Sequence, residues 1–217
     1  PRSLLWTEAM EEQSQNGGWR GSPDVWLNAA YDALLETGVD GVKIQPLAKR
    51  LNLSRTSFYW FFKDRKELLD ALITQWREKN TGNLIKQTEA FAETVTEAML
   101  NVIDCWLKPE LFDAKFEFAI RGWSVRSPAL LKEIQSADEQ RLDALKQMFM
   151  RFGQNERLAD TRARTTYLVQ IGYISMQTDE DLAVRLQRIP EYVEVFTGQP
   201  PAQRELDRFL ARNQHPA

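Results

Sequence analysis

Residues 44–63 read Ile-Gln-Pro-Leu-Ala-Lys-Arg-Leu-Asn-Leu-Ser-Arg-Thr-Ser-Phe-Tyr-Trp-Phe-Phe-Lys, and their pattern is that of two short helices joined by a tight turn. Leu47 and Leu51, four apart, form the inner face of the first helix, and the small Ala48 suits a close crossing of two backbones. Asn52 falls at the turn, where left-handed φ is needed and asparagine is the usual substitute for glycine. Leu53 plugs the turn, and Ser54 is a good N-cap for the second helix. On that helix Phe58, Phe61 and Phe62 are expected to point inward. Arg55, Thr56, Tyr59 and Lys63 then share the outer face, flanked by Ser57 and Trp60. A helix-turn-helix places such a face in the DNA major groove, with the first residues of its second helix at the base edges. A helical hairpin with a solvated basic face is the competing reading of these twenty residues.

Outward from this stretch, the pattern stays helical. Ser22-Pro23 is an N-cap followed by proline at the first helical position, and Trp26, Ala29, Ala30, Ala33, Leu34 and Thr37 recur at three- and four-residue spacing until Gly38. Asp64 can cap a helix carrying Leu68, Leu69, Leu72, Ile73 and Trp76, which Gly82 interrupts or ends. A second apolar pattern runs from Phe91 through Val95, Met99, Val102 and Ile103 to Trp106. Further helices are expected over 111–125, 128–153, 159–176, 181–196 and 203–212. No stretch alternates with period two, and no Asn-Gly or Asp-Gly hairpin signal occurs. The fold class is therefore all-α. Residues 1–21, with Gly17, Gly18 and Gly21, read as an extra N-terminal helix on a flexible arm.

Composition narrows the chemistry. Among 217 residues there is one histidine, His215, close to the end, and one cysteine, Cys105. A Ser-His-Asp or Cys-His arrangement needs an ordered histidine, and a structural zinc site needs about four ligands. One thiol makes no internal disulfide, which fits a reducing, cytoplasmic setting. No apolar run approaches the roughly 18–20 residues of a membrane span. We expect no enzyme, no metal and no cofactor. The run Asp179-Glu180-Asp181 is best read as acids at a helix start, favoured by the macrodipole.

Charge is distributed unevenly. The whole chain carries a formal −3. Between Lys43 and Lys66 lie seven basic residues and one acid, Asp64, giving +6 there and −9 elsewhere. A concentrated basic patch on an acidic protein is the footprint of phosphate contact.

The region from Val39 to Trp76 resembles the N-terminal domain of the tetracycline-repressor (TetR/AcrR) family. The motifs are Gly41-Val42 ahead of the first short helix, Leu47-Ala48, Leu53-Ser54, Phe58-Tyr59-Trp60-Phe61-Phe62 and the run from Lys63 to Leu69. The resemblance spans roughly residues 22–77, with 23–37 matching that family's first helix. Three positions depart from the pattern: Lys43 stands where a Thr or Ser cap is usual, Pro46 lies in the first turn, and Phe61 occupies a place where a phosphate-touching His or Tyr is common.

The resemblance implies an arm over 1–21, a three-helix helix-turn-helix DNA-binding domain over 22–66, and a C-terminal helical bundle over 67–217 for effector binding and dimerisation. It implies a ligand-responsive regulator, most often a repressor, whose homodimer binds a palindromic operator in double-stranded DNA and is released by a small-molecule effector. A helical small-molecule-binding protein without a functional DNA target is the alternative. Arg55 is the first candidate for base readout, with Gln45 and Thr56 next. Ser57, Tyr59, Trp60, Lys63, Arg65 and Lys43 suit phosphate and sugar contacts. For the effector, Met99, Trp106, Phe116, Trp123, Tyr167 and Ile171 are candidate pocket residues, and Arg121 is a candidate partner for an acidic ligand. The family also implies a dimer through the helices near 159–176 and 181–197, where Tyr167, Ile171, Ile174, Leu182, Leu186, Ile189 and Val193 have suitable spacing; an intramolecular core is the competing explanation for each.

Overall fold

The structure, a computed structural model, describes residues 21–214. The expected N-terminal arm lies outside these residues but for Gly21. All regular elements among the described residues are helical, and the chain divides into two compact units that meet between Leu72 and Ile73.

The first unit opens with α1 (Pro23–Thr37), capped as its sequence requires: the Ser22 hydroxyl accepts from the Val25 N–H at 3.3 Å and Pro23 occupies the first turn. Gly38, at φ 77°, ends it by donating to the Leu34 carbonyl. A single 3-10 turn, Val39–Gly41, leads to α2 (Ile44–Leu51), α3 (Arg55–Phe58) and the start of α4 (Arg65–Trp76). Gly41 is required by packing: a Cβ there would lie 1.7 Å from the Thr37 hydroxyl oxygen. Asp64 caps α4 by accepting from the Glu67 N–H at 2.9 Å, and the Glu67 carboxylate accepts from the N–H of Lys63, the residue before the cap. Trp26, Phe58 and Phe62 make the aromatic centre, Trp26 meeting Phe58 edge-on at 5.3 Å. The unit reaches beyond the expected boundary at 66 because Leu68, Leu69 and Leu72 are buried yet stand outside the second unit's apolar cluster.

The second unit contains the last turn of α4, then α5 (Asn83–Glu89), α6 (Val95–Leu107), α7 (Ala114–Ser124), α8 (Pro128–Arg151), α9 (Glu156–Ser175), α10 (Leu182–Gln187), α11 (Ile189–Thr197) and α12 (Gln203–Gln214). The long helices α8 and α9 pack against each other, and α6 is buried on nearly every side, from Val95 to Trp106.

Of the two readings of Gly82, interruption is the one found: Arg77–Gly82 widens into a π-helical stretch that continues into α5, with Asn80 and Thr81 buried. Two expectations change. Phe91, expected on the buried face of α6, lies before that helix and is 85% exposed. The single helix expected over 181–196 is two, α10 and α11, broken at Arg188 before Pro190, where the proline lacks the N–H a continuous helix needs.

Candidate DNA-reading face and ligand cavity

The turn between α2 and α3 is built as the sequence specifies. Asn52 is left-handed, at φ 53° and ψ 42°, and the Leu53 N–H donates to the Ala48 carbonyl at 2.9 Å. The Ser54 hydroxyl accepts from the Ser57 N–H at 3.2 Å and starts α3. Lys43 precedes α2 without any side-chain cap, as its identity implies.

Most predicted contact residues reach the surface together. Lys43, Gln45, Arg55, Thr56, Tyr59, Trp60 and Lys63 are all exposed, Tyr59 by 51% and Trp60 by 62%. Among the described residues, Lys43, Arg55 and Lys63 make no ion pair within the chain. Large aromatic and basic side chains presented this way on one helical turn suit a polyanion with stackable and methyl-bearing edges.

Two predicted contacts have internal work instead. Ser57 is buried, with its hydroxyl 3.0 Å from that of Ser54, so it closes the cap. The Arg65 guanidinium donates to the backbone carbonyls of Val39, at 2.7 Å, and of Val42. It braces the 3-10 turn against α4, adding a second donor to the Val39 carbonyl, which already accepts from the Val42 N–H at 3.1 Å. Phe61 is half-buried, whereas Phe58 and Phe62 are core. Arg50 pairs with Glu36 across α1 and α2; at such exposure the pair adds little to stability.

In the second unit the predicted ligand residues other than Trp106 separate into three groups. Met99 and Phe116 are fully buried core. Trp123 and Ile171 are half-buried and do not line the cavity described below. Arg121 and Tyr167 belong to a buried polar network that the sequence did not announce.

At the centre of that network is Glu117, wholly buried beside the equally buried Arg141. Arg141 grips the carboxylate with both Nη atoms, at 2.8 and 3.1 Å, and donates through Nε to the Thr81 hydroxyl at 2.9 Å. Its guanidinium stacks over the rings of Trp76 and Phe112 at 5.2 and 5.4 Å. Trp76 Nε1, at 2.6 Å, and Asn80 Nδ2, at 2.9 Å, also donate to Glu117. Arg121 donates to Glu117 at 3.0 Å, to Asp138 at 2.5 Å and to the Tyr167 hydroxyl at 3.2 Å, while that hydroxyl donates to Asp138. Burial by itself raises the Glu117 pKa, but the adjacent Arg141 and Arg121 and the donated hydrogen bonds outweigh it and hold the carboxyl at about 2. Two guanidinium groups face two carboxylates, so the cluster is internally neutral. Arg121, expected to meet an acidic ligand, has its donors committed to the chain's own acids.

The cavity lies elsewhere, between α6, α9 and the α10–α11 segment. It measures about 30 Å3 and is lined by Ile103 and Trp106, by Thr166, Val169, Gln170 and Tyr173, and by Arg185, Ile189, Tyr192 and Phe196. Of the predicted residues it contains Trp106 alone. Thr166, Val169, Gln170 and Tyr173 lie three or four apart on one side of α9, a periodicity visible in the sequence. That Arg185 faces them is not visible there, because it depends on how the short α10 folds back.

Comparison with known proteins agrees with this architecture. The family model of bacterial regulatory proteins of the tetR family matches residues 27–72. Residues 27–72 thus match the N-terminal domain of the tetR family. The tetracycline repressor of class A from a transposon of Escherichia coli is 44% identical over 67 residues, 31% of either chain, and the class D repressor is 39% identical over 49 residues, 22% of its length. The matched segment thus spans a third or less of these tetracycline repressors. A Bacillus subtilis helix-turn-helix regulator, YvkB, is 26% identical over 57% of this chain and 61% of its own. A TetR-family regulator structure from Mesorhizobium loti superposes with TM-score 0.54 at 16% identity, over 88% of this chain and 95% of that one, which extends the fold likeness through the helical second unit. A regulator from Rhodococcus gives the same score at 17% identity.

Proposed function

We propose that this chain is a DNA-binding transcriptional regulator, a cytoplasmic repressor whose homodimer binds a palindromic operator and is released by a small-molecule effector. The observation that carries the reading is the outer face of the helix-turn-helix: Gln45, Arg55, Thr56, Tyr59, Trp60 and Lys63 exposed together, with no acid among the described residues paired to Arg55 or Lys63. In this reading Arg55, at the first position of α3, addresses a base edge and Gln45 and Thr56 assist it. Lys43, Tyr59, Trp60 and Lys63 hold phosphates and fix the register.

A dimer supplies two such heads at successive major grooves, and α9 and α11 offer apolar surface for it: Leu168 is 62% and Val195 67% exposed. The residues that spacing alone suggested for this interface are mostly spent inside the chain, since Tyr167, Ile174, Ile189 and Val193 are buried in its own core. The effector acts by population shift, binding a DNA-incompetent conformation better and lowering operator affinity by that difference. No helix among the described residues is long and apolar enough to cross a membrane. Selection of duplexes from a random pool, followed by a salt titration of the winner, tests the reading. A palindromic winner whose affinity falls steeply with salt is expected; an affinity flat with salt removes DNA from the function.

A further inference from the structure

Two residues that line the α6–α9–α11 cavity each carry a buried polar atom without a hydrogen-bond partner: Trp106, at Nε1, and Thr166, at Oγ1. Such atoms are rare in folded proteins, and each needs a reason. The case of Thr166 is pointed, because its neighbours on α9 behave ordinarily. The hydroxyls of Thr161 and Thr165 donate to the carbonyls four residues back, at 2.9 and 2.8 Å. Thr166 does not, and its side chain is wholly buried.

The lining also holds a cation. Arg185 lies over the Tyr173 ring at 5.0 Å and donates one long hydrogen bond, 3.3 Å, to the Gln170 side-chain carbonyl. Among the described residues no carboxylate pairs with it; the nearby Glu180 is engaged by Arg188. Arg185 is half-buried, and burial lowers its pKa, outweighing the opposing effect of Tyr173, Glu180 and Tyr192. One or two waters would fit a cavity of this size and could satisfy the indole and the hydroxyl, but water does not neutralise a guanidinium.

We propose that this cavity is a binding site for a small aromatic monocarboxylate, its carboxylate taken by Arg185, Trp106 and Thr166 and its ring by Tyr173, Tyr192 and Phe196. An ionised carboxylate is acceptor-only, which matches a lining of unspent donors, and its single charge balances the single unpaired cation. A ring needs more than the 30 Å3 present, so binding parts the walls. The wall that yields is α10, where none of the residues Leu182–Gln187 is buried, rather than α6 or α9, which are core helices. The inference rests on the ligand-responsive part of the proposed function and gives it a chemical class.

The test uses the full chain without DNA. Benzoate, 2-hydroxybenzoate, phenylacetate and 1-naphthoate are titrated calorimetrically against the wild type, Arg185→Gln and Trp106→Phe, with the matching primary amides as uncharged controls. At least one acid is expected to saturate the wild type, with its amide weaker by about tenfold or more. Arg185→Gln is expected to lose at least as much, and Trp106→Phe, which removes only the indole N–H donor, a smaller part. Thermal unfolding of each variant checks that it is folded, and either variant alone suffices for the comparison. Saturation by none of the acids, equal binding of acid and amide, or full affinity in both variants overturns the proposal. Operator selection is run without acid, so loss of DNA binding and loss of acid binding are separate results. An acid that binds and leaves operator affinity unchanged upholds the site and refutes its role as effector.

Discussion

Arginine is used in opposite ways in the two units. In the first, Arg55 stands exposed at the start of α3, and among the described residues no acid pairs with it. In the second, Arg141 is wholly buried, with its donors divided among Glu117, Thr81 and the Tyr167 hydroxyl. The same guanidinium is available to a partner in one place and consumed by the fold in the other; the difference lies in which carboxylates and carbonyls the tertiary structure brings to it. Arg65 shows how local this is. It belongs to the same basic run as Arg55 and Lys63, yet it braces Val39 and Val42.

The sharpest way to break the contrast is at Glu117. Glu117→Gln leaves Arg141 buried without its counter-charge and is expected to destabilise the second unit by about 3–5 kcal/mol, read by urea unfolding. The double change Glu117→Leu with Arg141→Met removes both charges and is expected to recover most of that loss; failure to do so would mean that the pair is needed for more than mutual neutralisation. The pH dependence follows from the same pair. Glu117 titrates at about 2 in the folded chain, below its ordinary 4.5, so its contribution is complete above pH 4.5 and is lost as the pH falls toward 2. In acid titrations of stability, Glu117→Gln should lose the part of the slope over that window that this carboxyl supplies.

A smaller effect is expected on the exposed side. Arg55→Ala should cost about 1–3 kcal/mol of discrimination at one symmetric pair of operator positions, measured on single-base variants of the selected duplex. An equal loss on every sequence would make Arg55 a phosphate contact. Within the turn, Asn52→Val forces a β-branched residue to φ 53° and should destabilise the first unit by about 1–2 kcal/mol, while Asn52→Gly should be nearly neutral. The smallest effect separates two residues of one basic run. Lys63→Ala should reduce the salt slope of DNA binding by about one. Arg65→Ala should instead lower the thermal stability of the first unit and leave the slope alone; a changed slope with unchanged stability would return Arg65 to the DNA face.

Much of the first unit was legible because its signals are local. Ser22, Asn52, Ser54 and Asp64 each act within a turn of their own position, and the buried faces of α1 and α4 follow the helical period. Ser57 escaped that reasoning, since its place on the flank of α3 is compatible with either a cap or a phosphate contact. In the second unit the helices could be counted from their apolar period, but the polar interior could not be foreseen. Glu117, Arg121, Asp138 and Arg141 look like ordinary surface charges at helical spacing, and Asn80 and Thr81 face inward only because the helix widens to a π turn before Asn83.

The sequence by itself determined the helical class, the turn that sets α2 against α3, and the concentration of basic charge around it. These depend on capping, φ preference and periodicity, all of which act over a few residues. Only the tertiary structure decided which charged groups are spent and which are left. Arg121 meets Asp138 across 17 positions and Arg141 meets Glu117 across 24, and the cavity sets Arg185 among residues of three separate helices. Whether a guanidinium pairs within the chain or waits for a ligand depends on contacts between segments that are far apart in sequence.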